Sequence, residues 1–209
     1  MHFRVSLPGD IITYAMSPNP GDAYDEFKLG NTYQSVIAVS ASPTPDPGHS
    51  ITLGCSSAKN IIQTGDTVYD AFMNNLATVS VTLKTSYEAT SNIAATTINR
   101  NTKIGEISGV ADASYVLTVS QNGFLKRDIA VTVSGADLNL GDKSLIAGDV
   151  FADGMIDGSD SELLFSRIGY IYNDGQYLGQ LDFNLDGVID GTDSEKLFSN
   201  LGKNIYFYD

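Results

Sequence analysis

"DFNLDGVIDGTDSEKLF", residues 182–198, sets four aspartates and an asparagine within twelve residues, and a short apolar helix pattern follows. Counted from Asp182, oxygen-bearing side chains stand at positions 1, 3, 5, 9 and 12: Asp182, Asn184, Asp186, Asp190 and Asp193. Gly187 holds position 6, where a sharp turn needs positive φ, and Ile189 holds position 8. Carboxylates at this density repel one another, so the stretch needs a positive partner.

The spacing is that of an EF-hand calcium loop: side chains at 1, 3, 5 and 12 and the carbonyl at 7, here Val188, point at one centre, and position 9 reaches it through water. The shorter Asp193 stands where such loops carry Glu. Asp-Gly pairs are also ordinary turn punctuation, so the decisive question is whether the pattern recurs. It does, thirty-three residues earlier, in "DVFADGMIDGSDSELLF" (149–165). Asp149, Asp153, the Met155 carbonyl, Asp157 and Asp160 are the equivalent candidates. Position 3 is Phe151, which offers no oxygen. Two Ca²⁺ sites are expected, the first weaker by ligand count. The match runs on through "GSDSELLFSRIG" (158–169) and "GTDSEKLFSNLG" (191–202), so the duplicated unit is a loop plus a helix.

Neither loop has a full entering helix, because the preceding "NLGDKSLIAG" and "NDGQYLGQL" are interrupted by glycine. Residues 147–209 therefore resemble a type I dockerin, the calcium-folded module that plugs proteins into cohesins of cellulosome-like complexes. The resemblance implies recognition residues at loop positions 10 and 11 and near helix positions 17 and 18. These are Gly158, Ser159, Phe165 and Ser166 in the first repeat and Gly191, Thr192, Phe198 and Ser199 in the second. It also implies a pseudo-two-fold pair of docking faces. The plainer reading of the phenylalanines puts at least one ring in the helix core. At the C-terminus, "NIYFYD" offers Tyr206, Phe207 and Tyr208 as stacking partners for Phe151, the alternative being that Phe151 packs on the base of the sandwich.

Charge is concentrated in the same region. Residues 148–209 carry twelve acids against three bases, net −9 of the chain's −13. That balance argues against nucleic acid and anionic membranes as partners. The single cysteine, Cys55, excludes an intrachain disulfide and reads as a buried small residue. The two histidines, His2 and His49, assemble no zinc or Ser-His-Asp constellation, and no catalytic residue is identified. No apolar run reaches the length of a membrane span, and "MHFRVSLPGDIITYAM" is not a signal peptide, since Pro8, Gly9 and Asp10 interrupt it. A calcium module belongs where calcium is millimolar, so the expected location is extracellular and the chain is expected to be a fragment.

The rest of the chain reads as β structure. "SASPTPDPGHS" (40–50) is a linker, taken as residues 41–50. Residues 51–146 carry period-two strands, "ATVSVTLKT" (77–85), "SYVLTVSQ" (114–121) and "DIAVTVSG" (128–135), with turns at 121–123 and 134–137 and no helical period. They are expected to form a small antiparallel β-sandwich whose last strand runs almost directly into the first loop, with Phe124 in its packing. "EISGVADASYVLTVSQNGFLKRDIAVTVSG" resembles the carboxypeptidase regulatory-like, or prealbumin-like, sandwich. In residues 1–40, "AYDEFKLGNTYQSVIAV" (23–39) resembles the closing strands of a laminin-G-like jelly roll, implying only a β fragment. The expected fold class is mainly β plus small α: an antiparallel β-sandwich followed by a duplicated calcium loop–helix module, with an N-terminal β fragment. The expected function is a non-catalytic anchor whose partner is a cohesin. The alternatives are the tail of a secreted carbohydrate-binding or glycoside hydrolase protein, reaching polysaccharide through a missing upstream domain, and a calcium-stabilised adhesin.

Overall fold

A computed structural model of the chain describes residues 48–208 except 60 and 62. The N-terminal β fragment, His2 and nearly all of the 41–50 linker lie outside the described residues. His49 and Ser50, read as the end of the linker, already belong to the first strand.

Seven strands form two facing sheets. In chain order they are β1 (His49–Gly54), β2 (Ser80–Lys84), β3 (Ala94–Thr97), β4 (Ile104–Val110), β5 (Ala113–Ser120), β6 (Arg127–Val133) and β7 (Leu138–Asp142). One sheet has the order β4-β1-β7 and the other β3-β2-β5-β6. Alternation decides the inner face. Val81 and Leu83 of β2 stand opposite Val119 and Leu117 of β5, and Ile51 and Leu53 of β1 meet them from the other sheet. Cys55 is fully buried in this core. The mainly-β class and the sandwich are as the sequence indicated. One pairing is not: β1 runs parallel to β7, so the smaller sheet is mixed.

The larger correction is a helix, α1 (Thr67–Leu76), inside the segment read as free of helical period. Asp66 caps it, accepting from the amides of Val68 and Tyr69. Tyr69, Met73 and Leu76 then fall at i, i+4 and i+7 on one face, where they pack with Ala77 and Leu185. Thr67, Val68 and Tyr69 favour strands by propensity and hid this period.

Two further helices, α2 (Gly158–Phe165) and α3 (Gly191–Asn200), follow the two acidic loops, and single 3₁₀ turns occupy Gly179–Leu181 and Ile205–Phe207. This C-terminal part is continuous with the sandwich. Leu125, at the β5–β6 connection, shares a core with Ile156, Leu164, Phe183, Ile189 and Leu197. Phe124 lies in that packing as expected, edge-on to Phe183 at 6.0 Å between centroids. Only six residues separate β7 from Asp149, and they are tied down: Leu125 N–H donates to Ile146 O (2.8 Å) and Gly148 N–H to Gly123 O (2.9 Å).

Gly123 makes the seam possible. Its φ is +81°, and a Cβ there would lie 2.1 Å from the carbonyl oxygen of Gln180. Gly135 has a similar φ of +68° with nothing within 4 Å. Gly135→Ala should therefore cost only the left-handed backbone penalty, about 1–2 kcal/mol. Gly123→Ala should cost clearly more, because it also pushes the C-terminal part off the sandwich. Urea unfolding of both variants checks this, and equal losses would contradict it.

Candidate functional site

The two loops have one backbone. At position 6, Gly154 and Gly187 have φ of +90° and +87°, and at position 4 the non-glycine residues Ala152 and Leu185 are also left-handed, at +56° and +60°. Each loop folds around its first aspartate. Asp149 accepts from the amides of Asp153 and Gly154 (both 3.1 Å), and Asp182 from those of Asp186 (3.2 Å) and Gly187 (2.8 Å). The last aspartate closes the loop onto its helix. Asp160 accepts from Val150 N–H (3.0 Å) and Asp157 N–H (2.8 Å), and Asp193 from Phe183 N–H (2.7 Å) and Asp190 N–H (3.0 Å). These last bonds form capping boxes with Asp157 and Asp190 as N-caps.

Charge is what the loops leave unsettled. Asp149 and Asp182 are 2% exposed, and Asp160 and Asp193 are fully buried. The ion pairs among the described residues are His49 with Asp112 and Asp137, and Lys126 with Asp128, none of them at a loop. Burial pushes Asp149 and Asp182 up from the ordinary carboxylate range and raises Asp193 to about 6. The N-caps move the other way: Asp157 and Asp190 are lowered, chiefly by the hydroxyls of Ser159 and Thr192.

The remaining candidate ligands are more open. Asp153, Asp186 and Met155 are exposed, while Asn184, Val188, Asp157 and Asp190 are half-buried. The Asn184 amide donates to Asp186 (2.7 Å) and to Thr192 Oγ1 (2.9 Å). Among the described residues no three His, Cys, Asp or Glu side chains are gathered as a closed metal centre. The donor chemistry nonetheless fits a hard cation: every side-chain donor is an oxygen, and the best-buried carboxyls form no ion pair among the described residues. Phe151 supplies nothing to loop 1. It is 53% exposed, and no aromatic ring pairs with it among the described residues.

The expected clasp between Phe151 and the C-terminal rings is thus corrected. The C-terminus is held elsewhere. Tyr208 Oη donates to Leu125 O (2.7 Å) and accepts from Ile146 N–H (2.8 Å), and the Arg127 guanidinium lies 4.8 Å from the ring centroid.

Each loop is also braced by the segment that follows the other loop's helix. Ile156 N–H donates to Lys203 O (2.9 Å), Gly202 N–H to Ile156 O (2.8 Å) and Ile205 N–H to Gly154 O (3.1 Å). Thirty-three residues away the same bonds recur: Ile189 to Tyr170 O (3.0 Å), Gly169 to Ile189 O (2.8 Å) and Tyr172 to Gly187 O (2.8 Å). The two units therefore brace each other at equivalent positions.

All eight residues proposed for recognition are exposed: Gly158, Ser159, Phe165 and Ser166, and their counterparts Gly191, Thr192, Phe198 and Ser199. Phe165 and Phe198 meet at 5.4 Å between centroids while remaining 55% and 43% exposed, so neither ring is core. Ile168 and Leu201, also thirty-three residues apart and exposed, belong to the same repeated pattern and were missed. The signal was available in the "SRIG" and "SNLG" strings.

No protein-family model matches the chain, and no curated protein matches it. Solved structures do. A chain from an N-terminal interface mutant of a type II cohesin–X-dockerin complex of Acetivibrio cellulolyticus is similar with TM-score 0.56 and 22% identity, over 77% of this chain and 100% of that one. A chain from a C-terminal interface mutant of the type II cohesin–X-dockerin complex of the same organism gives 0.57 and 23% over the same shares. At this identity the likeness is one of fold. Among the described residues no helix is long and apolar enough to cross a membrane.

The raised Asp193 sets a pH dependence. A carboxyl with a folded-state pKa near 6 binds its proton more readily folded than unfolded. In chelated buffer its contribution to stability is complete below about pH 4 and lost as pH rises through about 6. Asp193→Asn should remove that part of the slope between pH 4 and 6, measured by urea unfolding across pH. An unchanged slope would show that Asp193 titrates normally.

Proposed function

We propose that residues 147–209 are a calcium-folded dockerin, and that the chain anchors its parent protein to a cohesin in an extracellular, cellulosome-like complex. The observation that carries the reading is the duplicated loop–helix unit, with four buried carboxyls that form no ion pair among the described residues and a repeated exposed ring, Phe165 and Phe198. Loop 2 would hold its ion with Asp182, Asn184, Asp186, the Val188 carbonyl, Asp190 through water, and Asp193. Loop 1 would use Asp149, Asp153, the Met155 carbonyl, Asp157 and Asp160. The ion would supply charge compensation, which turns mutual repulsion into a folded loop. No catalytic residue is required.

The fold neighbours support a docking protein of this type of complex. A match over 77% of 209 residues is about 161 residues, more than the sandwich from β1 to β7 supplies, which favours a likeness that reaches past it. The neighbours' own label is type II, so the deciding cohesin panel contains both types. The full chain should bind a cohesin in calcium and release it in EDTA, read by calorimetry. Changing Phe165 and Ser166, or Phe198 and Ser199, should leave substantial affinity, and changing both sets should abolish binding. Failure to bind any cohesin, with both loops calcium-loaded, would favour a calcium-stabilised adhesin.

At neutral pH, above the raised pKa values of the loop carboxyls, EDTA should also remove most of the helical signal of α2 and α3 while the sandwich resists proteolysis. Helices that persist in EDTA would rule out calcium as the folding ligand.

The sites should differ in strength. Phe151 leaves loop 1 one oxygen short of loop 2. Calcium titration should resolve a tight site lost in Asp182→Ala and a weaker one lost in Asp149→Ala, and Phe151→Asn should tighten the weaker. Equal sites in the unmodified chain would overturn the ligand count.

A further inference from the structure

We propose that the sandwich helix α1, acting through an aromatic cluster and the hydroxyl of Tyr177, positions loop 2 for its ion, so that calcium affinity at loop 2 alone is tuned by the sandwich. This rests on the calcium reading above.

Tyr177 Oη donates to Asp182 Oδ2 at 2.7 Å, the same oxygen that accepts from Gly187 N–H at 2.8 Å. Asp182 is position 1 of loop 2, so its carboxylate is fixed by a side chain from outside the loop as well as by loop amides. The Tyr177 ring is set in turn by its neighbours. Phe72 of α1 lies 6.1 Å from it and Tyr172 6.3 Å, the latter edge-on. Tyr172 closes the cluster, 4.7 Å from Tyr69 and 5.2 Å from Phe72. Its own amide holds the carbonyl of Gly187. Tyr69 reaches the loop directly: a Cβ on Gly187 would lie 3.0 Å from the Tyr69 hydroxyl. Leu185, at position 4, packs with Met73 and Leu76 of the same helix. Three loop residues, Asp182, Leu185 and Gly187, are therefore held from one face of α1.

Loop 1 is the internal control. The residue five before Asp149, as Tyr177 is five before Asp182, is Ser144, whose side chain cannot reach as a phenol does. Among the described residues Asp149 accepts from loop amides alone. The two loops share backbone and amide bonds and differ in this brace. A group that orients a metal-binding carboxylate typically changes affinity by about 10–100-fold when removed.

The test is a site-resolved calcium titration of the full chain by calorimetry, with dissociation rates from chelator stopped-flow. Tyr177→Phe keeps the ring and removes only the hydroxyl. It should weaken the loop 2 site by about 10-fold or more, speed its calcium release and leave the loop 1 site unchanged. Phe72→Ala, on α1 and away from the loop, should shift the same site in the same direction by less. Thermal unfolding of the sandwich in EDTA should be unchanged by Tyr177→Phe, which separates positioning from a general loss of stability. Two wild-type sites with the loop 2 affinity unaltered in Tyr177→Phe would overturn the brace and leave the calcium reading standing. Equal weakening of both sites would also overturn it. A wild-type chain that takes up no calcium would sink both.

Discussion

The C-terminal third of the molecule depends on four buried carboxylates, Asp149, Asp160, Asp182 and Asp193, none of which forms an ion pair among the described residues. Backbone amides satisfy their hydrogen-bonding capacity but cannot neutralise their charge. Burying unpaired charge costs several kcal/mol per ion even after relaxation. The upward displacement of Asp149, Asp182 and Asp193 expresses that cost, and it marks the two places where a divalent cation would contribute most. Nearly everything around the loops follows from this. The glycines at position 6 let amides turn inward, the capping boxes spend the last acid on two amides at once, and the helices begin where the loops close.

Exchange of braces explains why a part so small can be compact. Each loop lends its position 8 residue, Ile156 or Ile189, to a shared core, and receives main-chain bonds from beyond the other unit's helix. Neither unit is complete alone. The sandwich supplies the rest of the floor through Phe124 and Leu125, and Tyr208 pins the last turn back onto it. Exposed rings at Phe165 and Phe198 are then tolerable, because the core does not need them. Surface that a fold leaves apolar without using it internally is where a partner is expected.

The sequence disclosed the periodic part of this. Spacing within the loops, the thirty-three-residue repeat, three strands with clean alternation and the turn at 121–123 were all legible, because each is a local pattern with a local cause. The remaining strands were harder. β3 is four small residues, β7 is short and carries Gly141, and β4 carries Gly105 and Gly109. Helix α1 was missed because strand-favouring residues occupy its first turn, although Asp66 and the spacing of Tyr69, Met73 and Leu76 were in view. The cross-bracing was not readable at all, since main-chain pairing between residues 154–156 and 202–205 leaves no side-chain signature. Phe151 misled for a related reason: an aromatic in a polar loop invites a partner, and the structure leaves it in solvent.

Duplication with identical backbones makes the surroundings of each loop the variable that can diverge. Loop 1 is braced by residues 202–205 and loop 2 by residues 169–172. Tyr208 ties the segment beyond the first brace to the sandwich with two hydrogen bonds and the Arg127 contact. Loop 2 is held in addition at its first aspartate by the Tyr177 hydroxyl, and at Leu185 by Met73 and Leu76 of α1. The second loop is therefore the one seated against the sandwich helix, while the exposed faces of the two units remain nearly alike.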